Sequence, residues 1–373
     1  MNSLCRRNNI NKLLELLEKT GLNSIIILSP ENIEYFLGIE TIADAWLMLH
    51  VNRETGLELY VPLLDYYRYR DQLEGKDIEV YGVSKKLEAG DARIVRKEWS
   101  EILKNIIGRW GKIGVDSSHA SPASIILKNI PREKIVDVSK HIDGYRMVKE
   151  DWEIDSIVNA IEITGRGIYK VIESLTHNIT ELELAGIFEY SVRKEGVREY
   201  AFSPLILFKP GNSYPHNLPS TTQLSDSDLV LVDVGVKYGG RCSDITRMAI
   251  WGSISEEEKR VIEVVEEALG EAIDTIQPGV KASDVDRAAR KVIERAGLGE
   301  KFIHGLGHGL GVVVHEAPAI RAGSDVELKP GMVFTVEPGV YVAGKYGVRI
   351  EENVVVTKSG SRILSRDIDR VFT

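Results

Sequence analysis

Four carboxylates stand in apolar surroundings where an acid is costly unless it has a task. Asp233 follows Leu229-Val230-Leu231-Val232, and Glu337 follows Met332-Val333-Phe334-Thr335-Val336. A carboxylate in such a strand loses its water and must be paired or bound to a cation. Asp244 comes eleven residues after Asp233, and Glu351 fourteen after Glu337, with a glycine turn inside each interval. Two hairpins would therefore place each pair of acids on opposed strands. Packed face to face, they would bring four like charges together, which cannot all stay ionised without a compensating cation. Divalent metal is the simplest answer.

A nitrogen ligand is at hand in His304-Gly305-Leu306-Gly307-His308-Gly309-Leu310-Gly311, with His315 seven residues after His308. The glycines permit close backbone approach. Four oxygens and one imidazole favour Mn, Co, Zn or Fe over a thiolate-seeking metal. Two such ions bridged by carboxylates would form a hydrolytic site. Competing motifs fail. His315-Glu316-Ala317-Pro318-Ala319 lacks the second histidine of HExxH, and the glycines at 305–311 lack both dinucleotide spacing and a P-loop lysine. No GxSxG is present. Cys242, inside the first hairpin and two residues from Asp244, reads as a packed thiol, because the neighbouring acid disfavours a thiolate.

The elements that must position these residues can be read by pattern. Lys149-Glu150-Asp151-Trp152-Glu153-Ile154 opens a long amphipathic helix. Thr180-Glu181-Leu182-Glu183 is a capping box for a second helix that Gly196 ends, Ser255-Glu256-Glu257-Glu258 caps a third, and Ser283-Asp284-Val285-Asp286 a fourth. Leu231-Val232-Asp233-Val234-Gly235-Val236 is echoed by Thr335-Val336-Glu337-Pro338-Gly339-Val340, each after a pair of helices. This predicts two related αβ halves packed face to face.

The first 130 residues show a different rhythm. Asn11 can cap a helix carrying Leu13, Leu14, Leu16 and Leu17, stopped by Gly21. Ser24–Leu28, Leu57–Val61, Ile78–Tyr81 and Ile113–Asp116 read as strands separated by helical stretches, an α/β layer domain. His50 and His119 read as isolated, structural histidines. The pattern changes in the charged segment Pro131–Asp143, so a first domain at 1–135 and a second at 145–373 are expected.

Length and charge bound the rest. A chain of 373 residues with 43% hydrophobic side chains suggests two domains rather than one core. With 56 acidic against 47 basic residues, the formal charge of −9 argues against nucleic acid. Two cysteines, Cys5 and Cys242, fit a reducing compartment. No apolar run reaches the length of a membrane span, and the N-terminal stretch lacks the apolar core of a signal peptide. A cytoplasmic location with no membrane partner is expected.

Taken in order, Asp233, Asp244, His308, Glu337 and Glu351 resemble the ligand set of the pita-bread metallopeptidases. Pro215-His216, His315-Glu316-x-Pro318, Glu337-Pro338-Gly339 and Gly347-Val348-Arg349-Ile350-Glu351 are similar to phrases of the proline-specific branch. The resemblance covers Tyr145–Thr373, and the first domain has the size of the creatinase-like domain that precedes it. It implies an α/β (α+β) fold with pseudo-twofold catalytic halves, two divalent metal ions, and cleavage before proline in dipeptides or short peptides. Asp233 would hold one metal, His308 and Glu337 mainly the other, while Asp244 and Glu351 bridge. His216 and His315 would stabilise the tetrahedral intermediate, with His304 lining the pocket. Glu337 would shuttle the proton, and Arg349 would support the carboxylates. Relatives of this kind are often homodimers. One departure concerns substrate length: Ala319 stands where the branch usually has an arginine, with Arg321 two residues on. Xaa-Pro dipeptides and longer Xaa-Pro-Xaa peptides, as taken by aminopeptidase P, are therefore both open. A non-catalytic binding protein or a metal-free amidinohydrolase of the same fold would be expected to have lost ligand positions.

Overall fold

The computed structural model describes residues 9–42, 45–119 and 121–373; Cys5 lies outside them. The chain divides into two units, Met1–Arg146 and Met147–Thr373.

The first unit is built on a seven-stranded sheet. In chain order it contains α1 (Ile10–Thr20), β1 (Ser24–Ile27), α2 (Pro30–Leu37), β2 (Met48–Asn52), β3 (Gly56–Pro62), α3 (Tyr66–Gln72), β4 (Glu79–Val83), β5 (Ile94–Val95), α4 (Trp99–Trp110), β6 (Ile113–Val115), β7 (Ile135–Asp137) and α5 (Ser139–Met147). The strands lie in the order β5-β4-β3-β2-β1-β6-β7. All four residues of β1 are buried, which is why three consecutive isoleucines follow Ser24 in place of an alternating pattern. Asn11 falls inside α1 and does not cap it; the N-cap position is Asn9, whose amide donates to the Tyr35 carbonyl instead. Gly21 ends α1 in the left-handed conformation. His50 is not isolated. It is buried between strands, with Nε2 3.0 Å from Ser24 Oγ and Nδ1 2.7 Å from Glu58 Oε2, a strut across β1, β2 and β3. His119 contacts Asp143 at 3.0 Å.

The second unit repeats one plan twice. Its first half runs α6 (Asp151–Glu173), α7 (Glu181–Lys194), β8 (Glu199–Tyr200), β9 (Leu205–Leu207), β10 (Asp228–Val234), β11 (Val236–Tyr238), β12 (Arg241–Cys242) and β13 (Ile245–Trp251). The second half runs α8 (Glu256–Thr275), α9 (Ala282–Arg295), β14 (Gly307–Gly309), β15 (Glu316–Ile320), β16 (Val333–Val336), β17 (Gly339–Val342), β18 (Tyr346–Arg349), β19 (Glu352–Thr357), β20 (Gly360–Ile363) and β21 (Val371–Phe372). The sheet β15-β14-β16-β19-β20 forms the backbone of the second half, and β13-β10-β9 that of the first, to which the last strand β21 returns by pairing with β13. Helix pairs bury both faces. Leu229 and Leu231 of β10 pack into the core of α8 and α9, while Val230, Val232 and Val234 pack into that of α6 and α7. A strand apolar on both sides leaves Asp233 no solvent face.

The capping boxes at Thr180 and Ser255 form as the sequence predicts. The fourth helix starts two residues earlier than expected. Its N-cap is Lys281 rather than Ser283, because Ala282 N–H bonds the Val326 carbonyl at 2.9 Å and Lys281 bridges to Glu327. Tertiary pairing there outweighs the local cap.

Candidate metal centre

Three of the four acids occupy or border breaks between strand ladders. The β10–β13 ladder closes at Val234↔Ile245, and the β11–β12 ladder starts at Lys237↔Cys242, leaving Asp244 in the gap. In the second half Val336↔Glu352 ends one ladder and Gly339↔Arg349 begins the next, so Glu337 and Glu351 flank the same break. Asp233 is within its ladder and faces Thr246, not Asp244. The hairpin therefore carries the two aspartates on opposed arms, as expected, but not directly across from each other. The β10–β13 and β11–β12 ladders keep one register through the turn at Gly239-Gly240, which sets Asp244 two residues short of Thr246, and Gly235 packs onto the Ser243 carbonyl, where a Cβ would lie 2.2 Å away.

These breaks bring the side chains together. Ligand atoms lie within 4.8 Å of one another in three groups: Asp233, Asp244 and Glu351; His308, Glu337 and Glu351; and Asp244, His308 and His315. Asp244 and Glu351 each belong to two groups, and so does His308. His308 Nε2 is 3.3 Å from Glu337 Oε1 and 3.5 Å from Asp244 Oδ2. Its Nδ1–H donates to the Gly309 carbonyl at 3.2 Å, which leaves Nε2 directed at the acids.

The glycines around His308 are now explained. A Cβ on Gly307 would stand 2.0 Å from the Thr335 carbonyl, and one on Gly309 2.1 Å from the Ala317 carbonyl. Only glycine lets β14 lie this close to β15 and β16. Gly307→Ala is accordingly expected to lower stability by about 3 kcal/mol and to displace His308. Thermal unfolding and metal analysis would read this; an unchanged midpoint and metal content would refute it.

Electrostatics show what the cluster lacks. Burial raises the Asp233 carboxyl, only partly offset by Arg349, and raises Asp244 well above its usual range, aided by Glu351 and Asp233. Burial and then Glu337 push Glu351 up to about 8. Burial also acts on Glu337, but the hydrogen bond and charge of His308 outweigh it, and Glu337 is held low; the same contact holds His308 high despite burial. Asp233 Oδ1 and Glu351 Oε1 are buried and accept no hydrogen bond among the described residues. Orphaned buried oxygens facing one another, in an oxygen-rich set with imidazole, fit divalent metal ions.

Arg349 is the buried cation of the site. Nη2 donates to Asp233, Nη1 to Tyr341 Oη at 2.8 Å, and Nε to Thr246 Oγ1 at 3.1 Å; Thr246 in turn donates to Glu351 Oε2 at 2.9 Å. Pattern reading missed Thr246 and Tyr341. Their only signal is position: Thr246 sits across the ladder from Asp233, and Tyr341 two residues after Gly339 on β17. Thr335 was also missed; its hydroxyl accepts from the His308 N–H at 3.1 Å and donates to Glu337 at 3.2 Å.

The three remaining histidines separate. His315 is exposed, and its ring packs 4.2 Å from that of His308, closer to the acids than an outlying position implies. His216 is exposed and near enough for its charge to help lower His315, after burial and His308. His304 stands apart from the three groups. Its Nδ1–H donates to the Gly305 carbonyl at 2.7 Å and its Nε2 accepts from Tyr341 Oη at 3.0 Å, so both ring nitrogens are engaged. Burial pushes its pKa below the ordinary histidine value. Cys242 is buried against the Val312 carbonyl at 3.6 Å.

Comparison with known proteins agrees with this architecture. Residues 9–148 match the creatinase/prolidase N-terminal domain, and residues 155–358 match metallopeptidase family M24. A Xaa-Pro dipeptidase of Pyrococcus furiosus is 31% identical over 96% of this chain and 98% of its own length. One from Lactobacillus delbrueckii subsp. lactis is 32% identical over 94% and 95%. The crystal structure of the prolidase from Pyrococcus horikoshii superposes with a TM-score of 0.84 at 30% identity, covering 97% of this chain and 99% of that one. An X-Pro aminopeptidase from Thermotoga maritima gives 0.85 at 28% identity, covering 98% and 99%. The paired helix–hairpin halves, the gathered acids and these matches place the chain in metallopeptidase family M24, behind a creatinase/prolidase N-terminal domain.

Proposed function

We propose that this protein hydrolyses the peptide bond before proline in Xaa-Pro dipeptides, using two divalent metal ions. The observation that carries the reading is the interlocking of three ligand groups through Asp244, Glu351 and His308, in a chain whose relatives are named Xaa-Pro dipeptidases. Asp233, Asp244 and Glu351 would hold one ion, and His308, Glu337 and Glu351 the other, with Asp244 and Glu351 shared. The mixed oxygen and imidazole donors suit Mn, Co, Zn or Fe. When bound, the ions would supply Lewis acidity and lower the pKa of the attacking water.

The chain's own groups would do the rest. Glu337, the acid held low, accepts the water's proton at a carboxylate oxygen and returns it to the proline nitrogen as the bond breaks. His315 and His216, both exposed, donate hydrogen bonds to the developing oxyanion. Arg349 fixes Asp233 and, through Thr246, the orientation of Glu351. With both ring nitrogens committed, His304 serves by holding Tyr341 against Arg349.

Substrate length is the second question. Ala319 lies opposite His308 across the β14–β15 ladder and offers no cation for a free carboxylate, while Arg321 is exposed at the end of β15. A panel of Ala-Pro, Met-Pro and Xaa-Pro-Xaa peptides on Mn- or Co-loaded protein tests both points. Hydrolysis of the dipeptides is expected, with Arg321→Ala raising KM for them more than for the tripeptides. Absence of turnover on every member with a full metal complement would sink the activity. We further place the enzyme in the cytoplasm as a homodimer; light scattering of the purified protein tests the latter. No helix among the described residues is long and apolar enough to cross a membrane.

A further inference from the structure

Two buried ion pairs converge on the start of α6, and neither contributes a ligand. Lys149 Nζ lies 2.7 Å from Glu316 Oε1, with side chains 1% and 5% exposed. Glu153 Oε1 lies 2.6 Å from Arg241 Nη2, with side chains 2% and 4% exposed. Lys149 and Glu153 are four residues apart on either side of the helix N-cap, Glu150. Their partners sit beside the reacting groups. Glu316 directly follows His315, and Arg241 opens the segment Cys242-Ser243-Asp244.

The Asp244 segment has further support: Cys242 pairs with Lys237 in the β11–β12 ladder, the Ser243 N–H donates to the Val236 carbonyl at 3.0 Å, and the Asn353 side-chain amide donates to the Asp244 carbonyl; the His315 segment has less. Residues 311–315 belong to no ladder, and the β14–β15 register shifts just before them, between His308 and Gly309. They are held by the Gly311 N–H to the Val313 carbonyl at 3.1 Å and by the Cys242 N–H to the Gly311 carbonyl at 2.8 Å. The Glu316 carboxylate lies on Gly311 itself, where a Cβ would come within 2.3 Å of Oε1. Asp244 lies in the gap between ladders described above. The Cys242–Gly311 bond ties the two segments to each other, and the two ion pairs tie both to one rigid helix end. The Arg241 guanidinium also stacks 4.9 Å over the Trp152 ring in the same helical turn.

We propose that the first turn of α6 is a positioning brace, in which Lys149 sets the His315 segment and Glu153 sets the Asp244 segment. The proposal rests on the reading above that His315 and Asp244 serve the reaction. The physical reason is that a buried charge deprived of its partner draws water or moves toward it. Of the two braced segments, the stretch that carries His315 is the one outside any ladder. A strut that only stabilised the fold would loosen the whole unit; a brace loosens its own segment.

Amide hydrogen exchange of the metal-free protein, with kinetics of the metal-loaded protein, separates these. Lys149→Met should speed exchange in peptides covering 310–317 by at least about tenfold, leaving β10 and α8 unchanged. In the loaded enzyme it should lower kcat roughly 10–100-fold with metal content retained. Lys149→Met/Glu316→Gln, which removes both charges, should recover most of both. Glu153→Gln should shift the faster exchange to 239–246. Wild-type exchange at 310–317 in Lys149→Met, exchange raised equally in every element, or a double variant no better than the single would each overturn the brace. If Lys149→Met does not fold, Glu316→Gln must give the same localised pattern, and a wild-type pattern there overturns it. A wild type that cleaves no Xaa-Pro substrate would refute the activity, while the exchange pattern still decides the brace.

Discussion

Asp244→Ala and Glu351→Ala are each expected to abolish metal retention and activity together, lowering kcat/KM by about 10³-fold or more. Each residue belongs to two of the three ligand groups, so its loss touches both ion positions at once. Asp233 and Glu337 belong to one group each, and alanine there should strip one ion more readily than the other. An outer partner such as Thr246 should cost less, roughly 10–100-fold. Metal content of the purified variants, by atomic absorption, checks the order. Undiminished stoichiometry in both Asp244→Ala and Glu351→Ala would refute the shared assignment.

The metal-free protein should lose stability as pH rises, the reverse of the usual acid denaturation. The sign follows from proton counts. Glu351 holds its proton in the folded state up to about 8, against an ordinary value of 4.5. Between those values the unfolded chain releases the proton and the folded chain keeps it. The folded state then binds more protons, so unfolding free energy falls with rising pH. The loss begins near 4.5, proceeds at about 1.4 kcal/mol per pH unit for one such group, and levels above about 8. Asp244 and Asp233, also raised by burial, act in the same sense. Glu337, held low by His308, acts oppositely and only at more acid pH. Urea unfolding in chelator at pH 5, 6, 7 and 8 should show this decline. Glu351→Gln should flatten it, and added Mn or Co should reverse it. Metal binding at pH 7 should also release protons, seen by calorimetry in buffers of different ionisation enthalpy. Rising stability across this window without metal would contradict the burial of these acids.

The candidate set was legible because its residues break a local rule. An aspartate after four apolar strand residues, or a glutamate after a run such as Val333-Phe334-Thr335-Val336, has no bland use in a strand covered on both faces. The glycines beside His308 were legible for a related reason, since Gly307 and Gly309 press against carbonyls of neighbouring strands. Helix starts with a self-contained capping box, at Thr180 and Ser255, were readable too. Those that depend on a distant strand were not, as Lys281 demonstrates.

What the sequence determined by itself was which side chains could not be ordinary: four acids, a histidine between glycines, and two echoing halves to carry them. Only the tertiary structure decided how they are used. Asp233 faces Thr246 rather than Asp244 because the first hairpin keeps one register through its Gly239-Gly240 turn. Tyr341 and Thr246 became partners of Arg349 through register, and His304 spent both ring nitrogens on its neighbours. Lys149 meets Glu316 across 167 residues of chain. The division follows from the physics. Desolvation of an acid among apolar residues is written in its immediate neighbours, but charge compensation and hydrogen-bond direction depend on distances that only folding sets.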